Sequence, residues 1–167
     1  AAQFLHPHAR QPRLFTFFGI IPNFPPSLIL QQVRSLMGND DYLLASANLA
    51  PHGMEHILPQ YDNLPTRRWL EQFLIEHEIT GGSLQIDIRR QNNLEWFQAD
   101  YVFEADTSTS VGGRHIEFKS GEALQLFASH RYTPESASAI FAEHGLHIEH
   151  TFLSENREEG VFMCRPQ

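Results

Sequence analysis

The chain has 167 residues, 41% of them apolar, and sets 12 Lys and Arg against 20 Asp and Glu for a formal charge of −8. That is enough apolar content for one packed domain and too much for a disordered chain. An acidic chain with no basic run is also a poor match for a nucleic-acid binder, which must neutralise phosphates.

The single Cys164 excludes a disulfide framework and a CxxC zinc or redox site. Ten histidines outnumber the eight excess negative charges, so full protonation would reverse the sign of the net charge. The longest apolar run, Leu14 to Ile21, is eight residues long and interrupted by Thr16 and Gly19. Crossing a bilayer takes about 18 or more, and no basic stretch with a cleavage site precedes the run. The expectation is a cytoplasmic protein with neither membrane nor nucleic acid as partner. The chain starts at Ala1 rather than Met, which reads as processing or excision from something longer.

Residues 1–13 are polar, hold Pro7 and Pro12, and read as a connector. Leu14 to Ile20 is apolar on both faces, the pattern of a strand buried between two helical layers. After Pro22, Pro25 and Pro26, helical spacing of Leu28, Ile29, Val33 and Leu36 predicts a helix over Ser27–Met37, stopped at Gly38. Asp41 then leads into a second two-sided apolar strand, Tyr42–Ala47. Strand, helix and strand make a βαβ unit with parallel strands.

Two helices follow, one around Met54, Ile57 and Leu58, the other presenting Trp69, Phe73 and Leu74 behind Pro65-Thr66. Beyond Gly81-Gly82 the period changes to two: Leu84, Ile86 and Ile88; Phe97 to Ala105; Ile116 and Phe118; Leu124, Leu126 and Ala128. Separated by Asn92-Asn93, Gly112-Gly113 and Ser120-Gly121, these predict an antiparallel meander. Thr133-Pro134 opens a last helix to about His144, and Leu146–Leu153 with Gly160–Cys164 predict a closing hairpin. The expected division is 14–82 for the βαβ and helical part of a Rossmann-like core, 83–132 for an antiparallel substrate-domain sheet, and 133–167 for the return to the core.

Three histidine groups have metal-like spacings: His6 with His8, His52 with His56, and His144 with His147 and His150. None comes with HExxH or HxE…PCxxC context, and they read as structural or exposed, with no metal site. Cys164 sits in an apolar strand and reads as a buried structural thiol. No GxSxG elbow, GxGxxG or GxxxxGK[ST] loop is present, so no cofactor-binding residue is assigned in this chain.

What remains is Asn23, just past the first strand, where open α/β sheets bind ligands. Tyr61 follows a short helix. In ALQLFASHRYT, strict alternation puts Leu124, Leu126 and Ala128 on one face and Gln125, Phe127 and Ser129 on the other. A Phe beside a Ser on the nominally polar side indicates a second buried surface, either a ligand pocket or the joint between two sheets.

The stretches FFGIIPNFPP, YLLASANLAP with PQYDN, ALQLFASHRYTPES, and HGLHIEHTF with GVFMC resemble, in order, the C-terminal half of the histidine-specific methyltransferases that use S-adenosylmethionine. The resemblance implies an α/β fold: the C-terminal half of a class I methyltransferase (Rossmann-like) sheet with an inserted antiparallel β-meander. The half carrying the glycine-rich loop and the acidic residue for the cofactor ribose would lie upstream. S-adenosylmethionine would then bind only in the full-length parent.

The family's substrate-gripping asparagine and tyrosine match Asn23 and Tyr61, and its imidazole-gripping serine matches Ser129. Its glutamate position carries Phe127, and a phenyl ring stacks or excludes where a carboxylate would accept an N–H. The implied activity is methyl transfer to an amino acid or small amine, with the catalytic residues unknown and the isolated chain inactive. The alternative is a non-catalytic ligand-binding or interaction module derived from that family. An unprotected first strand leaves room for a homodimer.

Overall fold

The computed structural model describes residues 11–167. The His6–His8 pair and most of the expected connector lie outside those residues. By its internal contacts the chain forms two compact units. One comprises the chain up to Pro51 with Asn92–Leu94 and His130–Gln167; the other comprises His52–Gln91 and Glu95–Ser129. Residues 52–82, grouped with the core in the sequence reading, fall in the second unit.

The first unit is built on a four-stranded sheet of order β1-β2-β9-β8. β1 (Leu14–Phe17) runs parallel to β2 (Tyr42–Asn48), with Leu14 opposite Tyr42 and Phe17 opposite Ala45. α1 (Pro26–Leu36) joins them, so the predicted βαβ unit is present. β8 (Leu146–Leu153) and β9 (Glu159–Pro166) form the closing antiparallel hairpin, and β9 lies antiparallel to β2 with Leu43 opposite Cys164. On β2 the residues alternate: Leu43, Ala45 and Ala47 are buried while Tyr42, Leu44 and Ser46 are partly exposed. The core assembles Leu30 and Val33 of α1, Leu43, Tyr132, Phe141, Leu146, Phe162 and Cys164.

β1 departs from expectation. It is an edge strand rather than a strand between two layers, and Leu14 is 61% exposed. It also ends at Phe17, because Gly19 at φ +69° turns the chain out of extended geometry. Phe18, Ile20, Phe24 and Leu28 continue the exposed apolar surface.

Asp41 fastens the start of β2 to the segment before β1. Its carboxylate accepts from the Arg13 amide at 2.8 Å, from Arg13 Nη2 at 2.6 Å and from the Gly38 amide at 2.7 Å. The last helix of this unit, α4 (Pro134–Glu143), starts with a capping box in which Thr133 and Ser136 bond reciprocally. Much of the RYTPES stretch therefore has a structural reason, with Tyr132 in the core and Thr133 and Ser136 closing the helix start.

The second unit holds α2 (Met54–Tyr61), α3 (Leu64–Glu76), and a sheet of order β3-β4-β7 made from Gly82–Gln91, Leu94–Phe103 and Ala123–Arg131. Gly82 opens β3 where only a glycine fits, since a Cβ there would lie 2.3 Å from the Val102 carbonyl oxygen. Asn92 and Asn93, at φ 50° and 62°, make the predicted tight turn between β3 and β4.

The meander is not continuous. β5 (Thr107–Val111) and β6 (Arg114–Phe118) form a separate two-stranded ribbon, and β7 returns to β4. On α3 the buried residues are Leu70 and Leu74, while Trp69 and Phe73 lie on the more exposed side. Of the three residues that marked this helix in the sequence, Leu74 is the one that faces the core.

Candidate functional site

The site is built around the end of α2. Asp62 leaves helical geometry at ψ 75°, and Asn63 uses its side chain twice: Oδ1 accepts from the Thr66 amide at 3.0 Å, and Nδ2 donates to the Gln60 carbonyl at 2.7 Å. One residue thereby caps the start of α3 and the end of α2. Asp62 also pairs with Arg67 at 2.6 Å, and Arg67 Nη1 donates to the Leu84 carbonyl on β3 at 2.9 Å. This short, doubly fastened turn fixes the direction of Tyr61.

The Tyr61 ring stacks on Phe97 with centroids 4.4 Å apart and planes 21° apart. Phe127 lies 5.7 Å from it on the β7 side, and Trp69 meets Phe127 edge-on at 6.3 Å. The Tyr61 hydroxyl and Ser129 Oγ share a hydrogen bond of 3.3 Å, with Ser129 buried at 1% exposure. Three of the four residues expected at the substrate site therefore converge in the second unit.

Leu124, Leu126 and Phe127 all pack against the same apolar cluster. Phe97 and Trp69 complete the aromatic group without having been singled out from the sequence. Phe97 was visible there only as one apolar residue of an alternating strand, and Trp69 only as part of a helix face.

Asn23 belongs to the first unit, at the end of a 3-10 turn after β1. It is exposed, and its side-chain amide donates to the Gly19 carbonyl at 3.0 Å. Nearby, the buried His130 donates from Nδ1 to the Pro22 carbonyl at 3.0 Å, and burial holds its pKa below the usual histidine range. The Tyr132 hydroxyl is buried with no hydrogen-bond partner among the described residues, and desolvation pushes its pKa up.

Beside the aromatic group, α3 and β7 enclose a hollow of about 440 Å³, lined mainly by Trp69, Leu70, Phe73, Leu124 and Leu126. A second hollow of about 450 Å³ is polar and includes His77, Thr109 and His115. Among the described residues no three His, Cys, Asp or Glu side chains gather to hold a metal. His52 and His56 stack edge-on at 5.6 Å, and His144 donates to the Ile140 carbonyl, so both have local roles. Nor is any helix of the described residues long and apolar enough to cross a membrane.

The connections that follow the two parallel strands, Phe18–Pro25 and Leu49–Gly53, each hold a single glycine. Neither connection is a glycine-rich loop of the kind that cradles a nucleoside cofactor.

The family assignment is specific: the model of the histidine-specific, S-adenosylmethionine-dependent methyltransferases matches residues 2–166, and the chain belongs to that family. No curated protein matches it.

Among solved structures it is similar to an S-adenosylmethionine-dependent methyltransferase from Clostridium acetobutylicum, at 9% identity and TM-score 0.43, over 97% of this chain and 61% of that one. It is also similar to CcbJ methyltransferase from Streptomyces caelestis, at 11% identity and TM-score 0.40, over 98% of this chain and 61% of that one. A third is CalS10, an amino pentose methyltransferase from Micromonospora echinaspora, at 10% identity and TM-score 0.40, covering 98% of this chain and 62% of that one. The chain thus spans just over three fifths of the length of each of these structures.

Proposed function

We propose that this chain is the substrate-binding portion of an S-adenosylmethionine-dependent methyltransferase acting on an amino acid or small amine. The observation that carries the reading is the family match over residues 2–166. Supporting it is the meeting of Tyr61 with Phe127 and with Ser129, the two hydroxyls forming a part-buried pair. In this reading the Tyr61–Ser129 pair supplies neutral hydrogen-bonding groups to the acceptor, and the surrounding rings exclude water. Dehydration keeps the acceptor amine uncharged and in place, which matters more here than a strong base. Asn23 is a separate candidate for the substrate, carried by the first unit.

The cofactor's cradle belongs to an N-terminal half of the full-length polypeptide, outside this chain. The unpaired side of β1 and the apolar surface from Leu14 to Leu28 are where a neighbouring strand and its helices would pack. A second copy of the chain is the competing occupant of that edge, and sedimentation of this chain alone distinguishes a dimer from a monomer.

Calorimetry of the full-length polypeptide with S-adenosylmethionine tests the reading. Saturable binding is expected there, and little or none by the isolated chain, which should also be inactive. Absence of binding by the full-length protein removes the enzyme and leaves a ligand-binding or interaction module. Turnover by this chain alone contradicts the assignment of the cofactor site elsewhere.

A further inference from the structure

Resting on the reading above, we infer that the acceptor's side chain is apolar and aromatic, lying against the Phe127 and Trp69 rings and reaching the hollow between α3 and β7. The Tyr61 and Ser129 hydroxyls already share a hydrogen bond at 3.3 Å. Moving from that pair along β7, the next surface is the Phe127 ring, met edge-on by Trp69 at 6.3 Å. Trp69 then forms one wall of the 440 Å³ hollow, whose other apolar walls are Leu70, Phe73, Leu124 and Leu126. Polar groups at the hollow are limited to Gln72, Glu76 and Gln125, and Gln72 already donates to Glu76 at 3.0 Å.

Ring contacts thus form an apolar lane that links the neutral polar pair to the hollow. A volume of that size with few polar groups suits a small apolar ligand. Trp69 is 65% exposed and Phe73 44% exposed, so two large rings stand open at the hollow where a ligand ring could cover them.

The electronic character of the lane sets the preference. A phenyl ring at position 127 offers no lone pair to a ring N–H, so an imidazole bound there gives up its hydrogen bonds to water without replacement. A phenyl or indole side chain loses nothing comparable and gains edge-to-face contact with Phe127 and Trp69.

The test is calorimetric titration of the natural polypeptide containing this chain with L-phenylalanine, L-tryptophan and L-histidine. Phenylalanine or tryptophan should bind about tenfold or more tightly than histidine. Phe127→Glu should shrink or invert that ratio. Trp69→Ala, at an exposed position that folding tolerates, should weaken the aromatic amino acids about tenfold and leave histidine nearly unchanged.

Histidine binding as tightly as phenylalanine overturns the inference, as does failure of both aromatic amino acids to bind. An unaltered ratio in a folded Phe127→Glu protein overturns it too. Titration of the same protein with S-adenosylmethionine separates this inference from its premise. Cofactor binding with histidine preferred refutes the side-chain class alone, whereas aromatic preference without cofactor binding refutes the methyltransferase reading alone.

Discussion

Asp41 should make this protein lose stability in acid over a narrow window, and Asp41→Asn should abolish that part of the loss. The side chain is 6% exposed. Hydrogen bonds from the Arg13 side chain, and then from the Gly38 and Arg13 amides, hold its carboxyl at about 2 against an ordinary 3.8, although burial alone would raise it. In the unfolded chain the carboxylate takes up its proton near the ordinary value, while in the folded protein it stays ionised until about 2. The stabilisation is therefore complete above the ordinary value and lost as pH falls toward the depressed one.

At about 1.4 kcal/mol per unit, the difference amounts to about 2 kcal/mol. The Arg13 side chain is 35% exposed, so solvent screens its share and the expected contribution is about 1–2 kcal/mol. Urea unfolding of wild type and Asp41→Asn at a series of pH values measures it. The wild type should be more stable by that amount near neutrality, and the gap should close as pH falls from about 4 toward 2. A gap that stays constant across that range, or no gap at neutral pH, would refute the account of Asp41 as an ionised fastening.

Two further outcomes are expected. Phe97→Ala removes a fully buried ring stacked on Tyr61 and should cost about 3–5 kcal/mol in denaturant unfolding, far more than Trp69→Ala at an exposed ring. Cys164 is fully buried and its thiol is pushed up to about 12 by burial and by Glu149; the native protein should resist iodoacetamide near pH 8 and react only once unfolded.

How much of this could be read beforehand depends on what each residue reports. Asn92-Asn93 announced its turn because adjacent asparagines tolerate the positive φ it requires. The order of β1, α1, β2 and the closing hairpin followed from apolar period and proline punctuation. The two-faced apolar pattern of Leu14–Ile20 was misleading, since it describes a strand with both faces covered while β1 is at the edge of its sheet.

β5 escaped notice because Thr107–Val111 has no apolar alternation; threonine and serine hydroxyls give no sign of facing a core. The return of β7 to β4 is a long-range pairing, which no local period encodes. Tyr61 and Ser129 were recognisable through resemblance. Their hydrogen bond joins positions 68 residues apart and is a product of the fold. Phe127 and Ser129, which alternation puts on one side of β7, both meet Tyr61.

Apart from the short return at Asn92–Leu94, the backbone leaves the first unit after Pro51 and re-enters it at His130, and these two crossings are stitched together. The Tyr132 amide donates to the Asn48 carbonyl at 3.0 Å, the Ala50 amide donates to the Tyr132 carbonyl at 3.1 Å, and Leu49 bridges Tyr132 in parallel fashion. An insertion whose two ends are clasped in this way behaves as a cassette. Its interior can be exchanged for that of a relative while the clasp, and the hairpin tip Asn92–Leu94, are left alone. Chimeras cut at residues 51 and 130 are thus a natural route to exchanging the second unit without rebuilding the scaffold of the first.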